Sequence, residues 1–450
     1  MKKKLTVQEY VVVASMLFGL FFGAGNLIFP VHMGQMAGSQ LVPATLGFLI
    51  TGVGLPLLSV AALGISKSEG LFDLSRKVSR PYAYFFTCLL YLTIGPFFAI
   101  PRCATTAFTV GIEQAVPQAA EQLRLWLLVF SAVFFAAALL FSLFPGKILT
   151  WVGKILNPFF LLFLGILIIV ALVKPSAAIS AVAPEGAYAS QAFSTGFLEG
   201  YNTMDVLAGL AFGIIVVQVI RELGVTDADA VASSTVKAGV FSSLLMALIY
   251  LAVTVVGAQS RGLFETSENG GIALAQIARH YLGSAGLVIL AATVTLACLK
   301  TSVGLITSCA ETFCGMFPKG PKYRAWAVLF TLISFALSNF GLSTIISYSV
   351  PVLMFLYPLA IALVLLALFG RFYRHDRAVY ISVIVCTLLA ALYDLICALP
   401  EGLYDALHAD AVQAFGLRVL PFAGAGLGWI CPLALGFVIG LAVHLMQKFR

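Results

Sequence analysis

The chain has 450 residues, 61% hydrophobic and only 10% charged, with a mean hydropathy of +1.03. A soluble domain carries about 25% charged residues, so the composition excludes a soluble globular protein and indicates an integral membrane protein. The formal net charge of +7 does not mark a nucleic-acid binder, because the basic residues follow membrane topology.

Apolar runs predict twelve spans, near 8–36, 41–65, 80–110, 122–143, 147–173, 191–219, 231–258, 284–313, 325–338, 342–369, 378–397 and 424–446. A bilayer needs roughly 20 helical residues per span, and the ninth is short. The first run is too long for a cleavable leader and lacks an A-x-A site, so it reads as a retained anchor. With the N-terminus inside, 19 of the 26 Lys and Arg fall on that side and six on the other; Lys300 alone lies deep in a span. That split follows the positive-inside rule and places both termini in the cytoplasm.

The first span is irregular where a helix should be most regular. Phe18 to Pro30 reads F-G-L-F-F-G-A-G-N-L-I-F-P, with Gly19, Gly23, Gly25, an asparagine and a proline. Glycine costs roughly 1 kcal/mol against alanine in a helix interior and proline removes a donor. Freed backbone groups are tolerated at membrane depth only where they line a polar cavity. The stretch therefore predicts a discontinuous helix and a binding site.

The second span carries Gly47, Gly52, Gly54 and Pro56, suited to close helix packing. The charged segment 66–81 predicts a surface helix on the cytoplasmic face. The third span contains G-P-F-F-A-I-P-R, from Gly95 to Arg102. Its two prolines predict a kink and place Arg102 near the outer end, either snorkelling to the interface or serving an outer gate. The fourth and fifth spans are plain and joined by a turn at Phe144-Pro145-Gly146-Lys147.

The sixth span repeats the anomaly of the first, with F-L-E-G-Y-N-T-M-D from Phe197 to Asp205. A centrally placed acid costs at least roughly 2.5 kcal/mol in insertion. We read a second broken helix, with Thr203 and Asp205 near the start of its inner half. Each anomaly opens a block of five spans, 8–173 and 191–369, and an odd number of spans inverts the second copy. Half-helix ends carry about half an elementary charge. A zwitterion fits such a cavity, with its carboxylate on the amides of Gly23, Ala24, Gly25 and Asn26. Its amine then falls on carbonyls around Phe22 and Gly200–Thr203, with Asn26, Asn202 and Asp205 adding side-chain contacts. The bland alternative is that these polar groups satisfy one another at a kink.

In the eighth span, A-C-L-K-T-S-V-G-L from Ala297 to Leu305 puts Cys298 and Ser302 on one helix face beside Thr301. One carbonyl and two hydroxyls suit a small hard cation. Lys300 points elsewhere. It reads either as a lysine paired with Glu311 or Asp394, or as a charge that tunes ion coupling. The eight cysteines and five histidines are scattered, without metal or redox spacing, and read as ordinary residues.

The motifs F-F-G-A-G-N-L-I-F-P (21–30), G-P-F-F-A-I-P-R (95–102), F-P-G-K (144–147), G-Y-N-T-M-D (200–205) and C-L-K-T-S-V-G-L-I-T-S-C-A-E (298–311) resemble the bacterial branched-chain amino acid:cation symporter family, BrnQ. They span nearly the whole chain. The resemblance implies an all-α, leucine-transporter-like fold of ten core helices plus two, within the amino acid–polyamine–organocation superfamily and in the bacterial cytoplasmic membrane. It implies leucine, isoleucine and valine as substrates, sodium as the driving ion and no cofactor beyond that cation. The cation would lie on the carbonyls of Gly19, Phe22 and Cys298 and the hydroxyls of Thr301 and Ser302. The substrate backbone would lie against Phe22–Asn26 and Tyr201–Asp205.

The tenth span has a proline-kinked S-Y-S-V-P-V-L-M-F-L-Y-P (347–358); spans eleven and twelve (378–446) lie outside the repeat. Side-chain pocket walls are expected from spans three, six, eight and ten. The expectation is a secondary active transporter working by alternating access. The alternative is a proton-coupled carrier of another neutral amino acid on the same fold. A membrane enzyme would need a nucleophile with a base or a His/Glu metal pair, and a channel a continuous polar stripe. Neither pattern is present.

Overall fold

The computed structural model describes residues 4–66, 68, 70–116, 119–143 and 157–448. The expected turn at Phe144–Lys147, the start of the fifth span and Lys154 lie outside them. Among the described residues every regular element is helical.

Helix α1 (Val7–Phe21) begins at a capping box: the Thr6 hydroxyl accepts from the Glu9 amide at 3.3 Å, and the Glu9 carboxylate accepts from the Thr6 amide at 2.8 Å. It stops at Phe22, which takes extended backbone (φ −74°, ψ 97°). Helix α2 (Gly25–Ala37) follows after two residues, and Gly38, at φ +48°, turns the chain into α3 (Leu41–Leu49). A π turn at Ile50–Gly54 separates α3 from α4 (Leu55–Ser66). The helix expected in the charged segment is α5 (Leu71–Arg76). Helix α6 (Arg80–Leu92) passes through a second π turn, Thr93–Phe97, where Gly95 is non-helical (φ −95°, ψ −122°), into α7 (Ala99–Gly111).

Helices α8 (Ala120–Leu143) and α9 (Asn157–Val173) follow. Helix α10 (Tyr188–Glu199) ends in a 3₁₀ turn, Gly200–Thr203. Met204 then adopts φ +61°, a left-handed conformation rare for a residue with a side chain, and α11 (Asp205–Glu222) starts. Next come α12 (Ala228–Ser260) and α13 (Gly270–Met316). The latter bends at Gly283 (φ +65°), which sets off thirteen residues that the sequence placed outside the eighth span. Helices α14 (Tyr323–Ser338) and α15 (Leu342–Phe369) follow, the latter continuous through Pro351 and Pro358. Helix α16 (Arg377–Cys397), the short α17 (Glu401–Ala406) and α18 (Asp410–Val419), and α19 (Ile430–Lys448) end the chain.

Among the described residues, eight helical stretches are long and apolar enough to cross a membrane: Gly25–Ser66, Arg80–Ala115, Ala120–Leu143, Asp229–Ser260, Gly270–Met316, Leu342–Phe369, Arg377–Cys397 and Ile430–Gln447. Twelve were expected, and the difference has local causes. The first expected span is divided, its second part running on into the next. Leu161–Val173 and Tyr323–Ser338 are shorter apolar helices. The sixth is divided between α10 and α11.

Reciprocal glycines allow two close crossings. Where α2 meets α12, a Cβ on Gly34 would strike the Thr254 carbonyl, and one on Gly257 would strike that of Val31. Where α3 meets α10, Gly47 faces the Phe193 carbonyl and Gly196 that of Ala44. Close backbone approach of this kind drives helix association in lipid, where apolar burial gives no net gain. Helix α7 packs along α13. Helices α16 and α19 pack on each other and, through α15, on the rest.

Candidate substrate and cation site

The two interruptions of helix lie against each other and are joined by side chains. The Gly23 amide donates to Asn26 Oδ1 at 2.8 Å, so Asn26, in the first turn of α2, reaches back to an amide just before the helix. Its Nδ2 donates to Asp205 Oδ2 at 2.7 Å, across to α11, and also to Tyr250 Oη on α12. Tyr250 in turn donates to the same Asp205 oxygen at 3.0 Å. All three residues are buried, so a buried carboxyl is held by two donors from two helices.

At the second interruption the loose carbonyls are already engaged. Thr51, in the π turn between α3 and α4, donates to the Phe197 carbonyl at 2.7 Å. Thr203 Oγ1 donates to the Gly200 carbonyl at 2.9 Å. Arg102 Nη1 donates to the Asn202 carbonyl at 2.8 Å. A helix end leaves its last carbonyls without intrahelical partners, and here side chains from three separate elements supply them.

Arg102 departs from its expected position. It lies in the first turn of α7, nine residues before that helix ends, and is 4% exposed. Its guanidinium sits over the Phe29 ring, 5.0 Å from the centroid. It does not snorkel. A π turn with a non-helical Gly95 precedes it and interrupts the third span.

A cavity of about 50 Å³ lies between the interruptions. Gly23, Ala24, Gly25, Asn26, Thr203, Asp205, Thr301 and Arg102 line it, with an apolar wall of Leu20, Ile94, Ala208, Phe212 and Leu305. Phe22, Tyr201 and Asn202 do not line it; Tyr201 is stacked on Tyr357 of α15, with ring centroids 4.0 Å apart. The wall comes from spans one, three, six and eight, and the tenth span contributes none of it. The cavity holds a few waters at most.

It adjoins a second cavity of about 190 Å³, with which it shares Leu20, Phe212, Thr301 and Leu305. That vestibule runs along α13 toward its C-terminal end, past Gly304, Thr307, Ser308 and Glu311. Toward the other end of α2, polar ties join it and the neighbouring segments. Gln35 Nε2 donates to Ser260 Oγ at 3.1 Å, the Ser267 amide donates to Gln35 Oε1 at 3.2 Å, and Arg261 pairs with Glu185 at 2.6 Å.

The expected cation ligands are brought together in part. A Cβ on Gly23 would lie 3.6 to 3.7 Å from the Thr301 side chain, so α13 faces the first interruption. Thr301 Oγ1 donates to the Ala297 carbonyl at 3.0 Å. Cys298 and Ser302 are buried, and the Ser302 hydroxyl has no hydrogen-bond partner among the described residues. Lys300 bends back, and its Nζ donates to the Gly19 carbonyl at 3.4 Å. Asp394, one expected partner of Lys300, sits beside Gly428, and its Oδ2 has no hydrogen-bond partner among the described residues.

Tyr250 and Thr51 were not anticipated. A tyrosine within an ordinary apolar run, or a threonine among glycines, carries no spacing signal. Only the identity of the groups left open at the interruptions could have pointed to them.

The family described as "Branched-chain amino acid transport protein" matches residues 6–447. The chain belongs to that family. It is therefore a transporter and not an enzyme. It is 53% identical over 450 residues to the branched-chain amino acid permease BrnQ of Lactobacillus delbrueckii subsp. lactis, covering 100% of both chains. To BrnQ of Bacillus subtilis it is 39% identical, covering 100% of this chain and 99% of the other. Similar solved structures include inward-facing Mhp1 (TM-score 0.59, 16% identity, 98% of this chain and 90% of that one). MhsT in complex with L-phenylalanine is also similar (TM-score 0.58, 15% identity, 99% of each chain). These likenesses show the fold: all-helical, of the leucine-transporter type.

Proposed function

We propose that the chain imports leucine, isoleucine and valine together with a cation, sodium, by alternating access. The observation that carries this reading is the central cavity, where the backbone of both interruptions and the buried Asp205 meet a wall of aliphatic and aromatic side chains. Small-molecule pockets occupy roughly 300 Å³ or more, so a cavity of about 50 Å³ must widen to take a branched-chain amino acid. The vestibule beside it gives the direction of widening, and the polar ties toward the other end of α2 keep the other side shut. Substrate chemistry follows: amide donors of α2 and polar groups at the start of α11 for the charged ends, the apolar wall for the side chain. The names of the full-length relatives support the cargo.

In this reading 8–173 and 191–369 are inverted five-span repeats, α1/α2 and α10/α11 are broken helices one and six, and 378–446 adds two accessory spans, twelve in all. Both termini are cytoplasmic, in the inner membrane, and the vestibule faces the cytoplasm. Gly19, Phe22, Cys298, Thr301 and Ser302 hold sodium, which ties the inner half of helix one to helix eight. Phe22, Tyr201 and Asn202, set back from the small cavity, approach the substrate as it widens.

A second reading rests on Lys300. Its ammonium already lies at the Gly19 carbonyl, one of the five sodium groups, and a tethered charge there favours coupling to protons. Uptake of labelled leucine into proteoliposomes separates the two. Accumulation under an inward sodium gradient at clamped pH supports the sodium site. Accumulation only under a proton gradient without sodium replaces it with Lys300 or Asp205. No leucine uptake under either gradient removes the cargo assignment.

A further inference from the structure

We infer that Arg102 is the residue that binds the substrate's carboxylate. This rests on the amino-acid reading above and adds an assignment of the charged ends. The guanidinium is buried and lines the central cavity. Among the described residues its one hydrogen-bond acceptor is the Asn202 carbonyl, met by Nη1; Nη2 and Nε have none. A buried guanidinium with unmatched donors is costly unless an anion or acceptor meets them.

The setting favours an anion. Nη2 stands 3.0 Å from where a Cβ on Gly25 would be, so it lies directly against the start of α2. The amides of Gly25 and Asn26 begin that thirteen-residue helix, where no preceding turn supplies carbonyls. Two positive elements, a helix start and a guanidinium, thus converge on one side of a small cavity. A guanidinium fork matches a carboxylate with two parallel hydrogen bonds. Glycine at 25 keeps the space for that fork open, since a side chain there would press on Nη2.

Asp205 lines the same cavity and forms no ion pair with Arg102 among the described residues. Its Oδ2 is turned toward Asn26 and Tyr250. Opposite charges that share a cavity yet stay apart are matched by a ligand carrying both. An α-amino acid does so, with its carboxylate on Arg102 and the α2 amides and its ammonium toward Asp205. The Asn202 tie holds the fork in place and links carboxylate binding to the second interruption.

The test is competition binding on the purified full-length protein, using a panel of neutral L-amino acids, their amides, and 4-methylpentanoate, with wild type, R102Q and R102K. Leucinamide should bind wild type at least about 100-fold more weakly than leucine, because it puts a neutral carboxamide in place of the carboxylate beside Arg102. In R102Q leucine should weaken by about 10- to 100-fold, the range for charge-assisted hydrogen bonds, while leucinamide changes less than about threefold. R102K should be intermediate, with the charge but not the fork. Equal weakening of acid and amide in R102Q would show a purely structural role and overturn the assignment. So would leucinamide competing as well as leucine on the wild type, a comparison that needs no variant to fold. If wild type binds another neutral amino acid but not leucine, isoleucine or valine, the cargo fails while the same acid-to-amide ratio still decides Arg102. Binding of no amino acid overturns both.

Discussion

The two interruptions are built on opposite plans. The first, Phe22–Ala24, is tied through Asn26, which reaches back to the Gly23 amide and across to Asp205 and Tyr250, while Gly23 touches α13 only at ordinary contact distance. The second, Gly200–Met204, is held from outside. Thr51 takes the Phe197 carbonyl, Arg102 takes the Asn202 carbonyl, and Gly200 fits so closely that a Cβ would overlap the Thr51 hydroxyl. One break presents amides and leaves ordinary contact room beside Gly23; the other presents carbonyls and fits tightly against neighbouring helices. In the transport cycle proposed above, the second is expected to hold its shape and the first to adjust, which stability measurements can test.

Glycine substitutions should separate the two most sharply. Gly200→Ala drives a methyl into Thr51 and displaces it from the Phe197 carbonyl. It should destabilise by about 2–3 kcal/mol, read as a lower melting temperature and lost leucine uptake. Asn26→Ala removes the acceptor of the Gly23 amide and one of two donors to a buried carboxyl, and should destabilise by about 2 kcal/mol, with leucine binding weakened as well. Thr51→Val keeps the shape of the side chain but leaves the Phe197 carbonyl unmatched, at about 1–2 kcal/mol. Gly23→Ala should be the mildest, within about 1 kcal/mol, because its new methyl meets only the Thr301 side chain at 3.6 Å or more. A Gly23→Ala variant as unstable as Gly200→Ala would erase the contrast. The four are compared by thermal melting in the same detergent.

Much of this plan was legible in the sequence. Glycine, asparagine and proline inside one apolar run, and an acid inside another, could be reconciled with a bilayer only by breaks that share a cavity. Six of the nine expected substrate residues line that cavity. What was not legible depends on register and on partners distant in sequence. Arg102 is buried against the cavity, where its partners Asn202 and Phe29 come from other spans, and hydropathy carries no trace of the π turn before it. Tyr201 turns away to stack on Tyr357, 156 positions later in the chain, and no local pattern encodes that choice. Tyr250 resembles any interfacial or core tyrosine until Asp205 is placed beside it. Lys300, 200° around its helix from Cys298 on an ideal wheel of about 100° per residue, still reaches Gly19, because its long side chain sets the contact rather than its helix face.

The central claim is that the space between the interruptions is the substrate site, and Asp205→Asn tests it most directly. Asparagine keeps the shape and can still bond Asn26 and Tyr250, but it removes the charge that faces the substrate's ammonium. Calorimetric titration of the purified variant with leucine should show affinity weakened by about 10- to 100-fold, the loss of a charge-assisted contact in a buried site. Its melting temperature should stay within a few degrees of wild type. Leucine binding at wild-type affinity by a folded Asp205→Asn protein would contradict the account and place the substrate elsewhere.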